Sequence, residues 1–484
     1  MKKTTLVLFL ILCLYSATIL MNNKTIVNAT SSTLIVGDDG FRSIQEAINN
    51  ASSGDTIFVH RGTYIENITI NKSIMLIGED RESTIIDGNF MGNVVTVKAP
   101  NVTISGFTIK NSDPSGYGII VERFRNIVIH NNKIRDNYGG IQIMFSGENK
   151  IYENIISANY IGIQLFYSSS NAIYRNNISS NTVVGIDIYY YSINNLFYEN
   201  SICGNYWGVY FSLYSHNNVF YHNNFVNNLY HVYAKNTTNI WSLNGEGNYW
   251  DNYKGGDINK DGIGDVPYSI DERNKDYYPL MGMFYIFAAP FKGDIYHIAM
   301  ISNSTILNFT FKVVAESRTK VILFNATTAS GCAGFSRVVV PKALMESIHA
   351  VLVNDEEVNA ILLNTANEKN IIYIEYPGNC SIKIVYSELL VLYYQLLANY
   401  SELYDKLQGD YDALQNELKN LNQTLATLNE IAQKYLNASL YYQNQAQNFK
   451  GLTYIFTATT AIFLAMTIYL SKVAHKKQRS ITES

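Results

Sequence analysis

Between residues 117 and 233, short runs alternate apolar and polar side chains and then break at Asn or Gly. GIQIM, GIQLF, GIDIY and GVYFS begin at Gly140, Gly162, Gly185 and Gly208, at intervals of 22, 23 and 23 residues. Alternation with period two predicts strands with one buried face. In a second register Asn154, Asn176, Asn200 and Asn223 recur at intervals of 22, 24 and 23. A fixed period of this size predicts stacked coils. The period-two pattern, the β-branched residues and the Asn and Gly punctuation disfavour helical repeats, and the Leu framework of a leucine-rich repeat is missing. The pattern therefore predicts coils of about three short strands and three turns, paired in parallel: a right-handed parallel β-helix. Ile156, Ile178, Ile202 and Phe225 form one inward column, and Ile141, Ile163, Ile186 and Val209 a second. The Asn column is expected at a turn, where Asn tolerates left-handed backbone and side-chain amides bond along the stack.

The grammar changes on either side. Upstream, Phe41, Ile44, Ala47 and Ile48 share one helical face ahead of the first strands, so a short amphipathic helix is expected to plug the open core. The β-helix with its caps is assigned to 34–282. From 283 to 386 the period stops, and short alternating runs such as STILNFTFKVV and IIYIEY predict a β-sandwich. From Leu390 to Phe449 an apolar a/d seam, broken only at Ser439, predicts a coiled-coil stalk about 90 Å long and hence a homo-oligomer. Residues 452–471 carry no charge and precede Lys472, Lys476, Lys477 and Arg479, which predicts one membrane span and a cytoplasmic basic tail, 472–484. At the other end Lys2 and Lys3 precede an apolar run, the pattern of a signal peptide over 1–29.

Composition narrows the partners. Charged residues make up 16% of the chain and the net charge is −4, which leaves no basic footprint for nucleic acid. On an exported chain the sequons at Asn67, Asn101, Asn177, Asn236, Asn308, Asn325, Asn399 and Asn437 are candidate glycosylation sites. Cys332 and Cys380 are a candidate disulfide in an oxidising compartment, while Cys203 falls inside a repeat and is expected as a buried apolar residue.

Several positions are candidates for chemistry. Tyr152, Tyr174, Tyr198 and Tyr221 form a column that reads either as an aromatic ladder along the sheet or as a carbohydrate platform. Beside it Glu153, Arg175, Glu199 and His222 alternate in sign. In DINKDGIGD, Asp257, Asn259, Asp261 and Asp265 stand at positions 1, 3, 5 and 9 with Gly262 at position 6, the spacing of a calcium loop, although Tyr268 replaces the acid at position 12. A metal-free turn held by Asx bonds fits the same residues. His216, His222 and His231 are separated by 6 and 9 residues, which does not place them in one column, so surface histidines are expected rather than a copper site. No paired carboxylates suggest a glycosidase, and Asp187 with Arg175 reads as an ordinary ion pair.

The opening SIQEAI…GDTIFVHRGTYIENITINKSIMLIGE, the Asn/Gly repeats and the closing GNYWDNYKGGDINKDGIGDVPYSI…DYYPLM resemble the NosD-type β-helix family over roughly residues 34–282. That family is common on archaeal surfaces and is named for a copper-related accessory protein; the resemblance implies a β-helix related to carbohydrate-binding and sugar-hydrolysing solenoids and no single activity. GCAGFSRVVVPKAL…HAVLVNDEEV…IIYIEY resembles a small module of archaeal exported proteins. The expectation is a non-enzymatic cell-envelope protein. Its single span would keep the N-terminal ectodomain outside, where it meets surface glycans or a surface-layer protein; a polysaccharide-active enzyme and a copper accessory protein are the alternatives.

Overall fold

The computed structural model describes residues 31–315, 318–329, 331–364, 368–435, 453–468 and 471–472. The expected signal peptide, Asn437, the end of the stalk and the tail beyond 472 lie outside them. From residue 31 to 250 the chain is mainly β, winding through three parallel sheets of nine, nine and eight strands. The first sheet runs from Thr33–Val36 to Val219–Tyr221, the second from Gly62–Ile65 to Tyr249–Trp250, and the third from Ile68–Ile70 to Tyr230–Tyr233. Both inward columns form in register: Ile141, Ile163, Ile186 and Val209 in the third sheet, and Ile156, Ile178, Ile202 and Phe225 in the second. All are fully buried in one core cluster running from Val36 to Trp250. Each such side chain stabilises the coil by about 1.5–3 kcal/mol.

Polar groups are as ordered as the core. Asn154 donates its backbone N–H and its Nδ2 to Oδ1 of Asn176, at 3.1 and 3.0 Å, and Asn176 does the same to Asn200. This ladder continues through Asn223 and Asn248 and ends on Asp276, whose Oδ2 accepts from Asn248. Parallel ladders run from Asn137 to Asn228 and from Asn149 to Asn274. Asp271 receives the last amide of the latter. From rung to rung each asparagine donates toward the C-terminal end, so a carboxylate, acceptor only, suits the final rung. One expectation needs correction: the left-handed residues are not the ladder asparagines but those just before them, Glu153, Arg175, Glu199 and His222, with φ of 55–59°. The asparagines themselves turn inward, where burial makes each missing bond costly.

Helix α1 (Ile44–Asn50), N-capped by Ser43, covers the N-terminal end with Ile44, Ala47 and Ile48 fully buried. At the other end Phe225, Trp250 and Tyr268 stack at 4.2 and 4.4 Å and close the core. Two five-stranded sheets follow, with antiparallel pairing throughout the one that starts at Met283–Phe291. They are joined to the β-helix by Asn224, which exchanges 2.7 and 2.8 Å hydrogen bonds with the backbone of Phe284. Glu246 also bridges the two, between His222 and Arg337, at 2.6 Å to each.

Helix α2 (Glu388–Tyr435) belongs to a second unit. Tyr393, Leu397, Tyr400, Tyr404, Leu414, Leu421, Leu425 and Leu428 of the expected seam are exposed along it. The span expected over 452–471 includes positions outside the described residues. Among the described residues no helix is long and apolar enough to cross a membrane.

Candidate functional site

The outer face of the third sheet carries a set of interlocked polar and aromatic side chains. Its strands Tyr117–Glu122, Gly139–Met144, Ile161–Phe166, Val184–Tyr189, Trp207–Phe211 and Tyr230–Tyr233 pair in parallel. Ile120, Gln142, Gln164, Asp187, Tyr210 and Tyr233 therefore form one column facing away from the core. Gln142 Nε2 donates to Gln164 Oε1 at 2.6 Å, and Gln164 Nε2 donates to Asp187 Oδ2 at 2.7 Å. Tyr117 joins from two coils away, its hydroxyl donating to the same Gln164 Oε1 at 2.8 Å. It reaches there because the next residue in its column, Gly139, has no side chain; a Cβ at Gly139 would lie inside the Tyr117 ring.

Asp187 is only 8% exposed although it points outward. Burial pushes its carboxyl up to about 6 against the opposing hydrogen bond from Gln164. Among the described residues no cation pairs with it, and Gln164 supplies its only hydrogen bond. Aromatic rings flank it. Phe166 stacks on Tyr189 at 5.7 Å, Tyr210 on Tyr233 at 4.7 Å, and Trp207 on Tyr230 at 4.3 Å with its edge toward Tyr210. Burial pushes the hydroxyls of Tyr117, Tyr189 and Tyr210 up, and the Asp187 charge adds to each. Such a face is suited to hold hydroxylated rings by stacking and hydrogen bonding.

The other candidate positions fall elsewhere. Tyr152, Tyr174, Tyr198 and Tyr221 line up on the first sheet with ring centroids 4.9, 4.7 and 5.4 Å apart, and His130 continues the stack at 4.8 Å. Tyr152, Tyr174 and Tyr198 have both ring faces covered by stacked neighbours and offer a sugar only edges, whereas Tyr189, Tyr210 and Trp207 each stack on a single ring. Arg175 bonds Glu199 at 2.6 Å and lies 4.0 Å from Glu153, so the ion pair expected with Asp187 is not the one formed. The three histidines are spent separately. His216 accepts from Thr238 N–H, His222 meets Glu246, and His231 is buried against Asp251 rather than on the surface. Cys332 and Cys380 are free, the first exposed and the second buried, in place of the expected disulfide. Cys203 is half-buried on the outer side of its strand rather than in the core.

In the Asp/Gly loop, Asp257 accepts from the N–H groups of Asp261 and Gly262, Asn259 bonds Asp261, and Asp265 accepts from Ile258 N–H. Oxygen ligands of the type a hard cation takes thus share one turn with Gly262 at φ 81°. Among the described residues no three His, Cys, Asp or Glu form a metal-binding group. Of the sequon asparagines, Asn101, Asn177, Asn236, Asn308 and Asn399 are exposed and Asn325 is half-buried. Asn67 is exposed too, but its amide donates to the carbonyls of Met91 and Asn93.

Residues 48–255, most of the β-helix, match the family model described as periplasmic copper-binding protein (NosD). A cell surface glycoprotein of Methanothermus fervidus is 33% identical over 141 residues, 28% of this chain and 22% of that protein. The chain spans less than a quarter of the length of the curated relatives it matches. Among solved structures, pectate lyase Pel9A aligns at 15% identity and a TM-score of 0.37, over 46% of this chain and 74% of that one. Pectin methylesterase from Yersinia enterocolitica aligns at 13% and 0.28, over 53% and 86%. The β-helix thus matches the NosD family model, and 28% of the chain is similar to part of an archaeal cell surface glycoprotein.

Proposed function

We propose that the protein is a cell-envelope component whose β-helix binds glycan chains along the outer face of the third sheet. The stalk expected from Leu390 and the span expected at 452–471 would hold it at the surface, where it attaches to a surface layer or mediates adhesion. The observation that carries this reading is the buried, singly bonded Asp187 between aromatic rings on an outward face. The archaeal surface glycoprotein among its relatives supports the location. A polysaccharide hydrolase or lyase is the second reading, favoured only by the raised pKa of Asp187. A glycosidase would place a second carboxylate about 5–9.5 Å away, whereas the register neighbours of Asp187 are Gln164 and Tyr210.

The test is retention of the full-length, detergent-solubilised protein on a panel of neutral and acidic cell-surface polysaccharides, with released reducing and unsaturated sugar ends assayed in parallel. Retention without release is expected. Release of sugar ends would move the assignment to the enzyme, and no retention on any polysaccharide would overturn the binding reading.

A further inference from the structure

We infer that the third sheet selects an uncharged polysaccharide, one of whose hydroxyl groups donates a hydrogen bond to Oδ1 of Asp187. This rests on the glycan-binding reading above and goes further by naming the ligand class and the atom that receives it.

Buried carboxylates ordinarily accept several hydrogen bonds or pair with a cation. Among the described residues Asp187 has neither; its only donor there is Gln164, on Oδ2. Gln164 is itself fixed, because its Oε1 already accepts from both Tyr117 and Gln142. The three side chains therefore hold the carboxylate in place while leaving Oδ1 for a donor from outside. Carbohydrate hydroxyls are such donors, and the rings of Trp207, Tyr210 and Tyr189 stand beside the same point to meet the C–H face of a pyranose.

Charge decides the class. The third-sheet strands Tyr117–Glu122, Gly139–Met144, Ile161–Phe166, Val184–Tyr189 and Trp207–Phe211 carry no Lys, Arg or His, and His231 on the next strand is buried against Asp251. The ionisable groups facing Asp187 are the phenols of Tyr117 on one side, Tyr189 on its own strand and Tyr210 on the other. A uronate or sulfate placed here would meet an unscreened carboxylate and no counter-cation.

Affinities of the full-length protein for a soluble glucan, mannan and galactan, and for polygalacturonate and alginate, test this by titration calorimetry. At least one neutral glycan is expected to bind at least ten-fold more tightly than either uronate. Asp187→Asn should weaken that binding at least ten-fold while the melting temperature holds or rises, since a buried unpaired charge is removed. A measurement on the unaltered protein gives the same answer without any variant. A donated hydroxyl favours the ionised carboxylate, so wild-type binding should fall as pH drops from 7 to 5, through the value near 6 of the free protein. Preference for uronates, or a flat pH profile with undiminished Asp187→Asn binding, would overturn this inference and leave glycan binding standing. Failure of every glycan to bind would overturn both.

Discussion

Asn176 shows how much one residue of the repeat carries. Its Oδ1 accepts two bonds from Asn154, and its Nδ2 serves Ile151, Tyr174 and Asn200. Asn176→Ala strands several of these fully buried groups, so a loss of roughly 2–4 kcal/mol is expected, read as a lower urea midpoint with the β-sheet spectrum retained. The recurrence of Asn was plain in the sequence; that the strained backbone sits one residue earlier was not, because Glu, Arg and His give no sign of left-handed geometry. Buried acids set the pH response. Asp187 and Asp276 are raised to about 6 by burial, so the folded state holds extra protons and each costs stability as pH rises from about 4 to 6. Burial alone would raise Glu246 as well, but the His222 hydrogen bond and the Arg337 charge outweigh it and hold the carboxyl at about 2. Its contribution is complete above about 4.5 and is lost as pH falls toward 2. From these three groups, thermal melting should be highest near pH 4–5, and Asp187→Asn should remove part of the gain between pH 7 and 5.

The coil is the element that repeats, and its spacing is set by backbone contact. A Cβ at Gly162 would run into the carbonyl of Gly185 in the next coil. Gly162→Ala should therefore push two coils apart and destabilise by roughly 1–3 kcal/mol, seen as faster hydrogen exchange localised to the strands Ile161–Phe166 and Val184–Tyr189. The glycine column, both apolar columns and the tyrosine stack were legible because each repeats at the coil period. The candidate site was not. Tyr117, Gln142, Gln164 and Asp187 sit on separate coils, each an unremarked residue in its own strand, and the doublet Gly139-Gly140 was the one local sign that a ring crosses the sheet there. What joins them is a register, and register is a property of neighbouring coils.

For the whole molecule, the seam exposed on α2 leads to an association prediction. The full-length protein should sediment as an oligomer at micromolar concentration, and Leu414→Asp with Leu421→Asp should shift it toward monomer while the β-helix still melts normally. Calcium at the Asp257 loop is the remaining proposal from the spacing. Adding millimolar calcium to chelator-treated protein should raise the melting temperature, by about 2.7 kcal/mol of stability if the ion stands at 100 times its Kd; an unchanged melt removes it. The sequence by itself determined the solenoid, its capping helix and its asparagine ladders, since a 23-residue period leaves one way to bury alternating side chains. Tertiary structure decided which polar groups meet. The sequence showed Arg175 and Asp187 close together along the chain, yet folding put Arg175 in the turn after Ala172–Tyr174 and Asp187 on the third sheet, sending Arg175 to Glu199 and leaving Asp187, among the described residues, with Gln164 alone. Separation along a chain fixes neither the face nor the coil on which a side chain comes to lie.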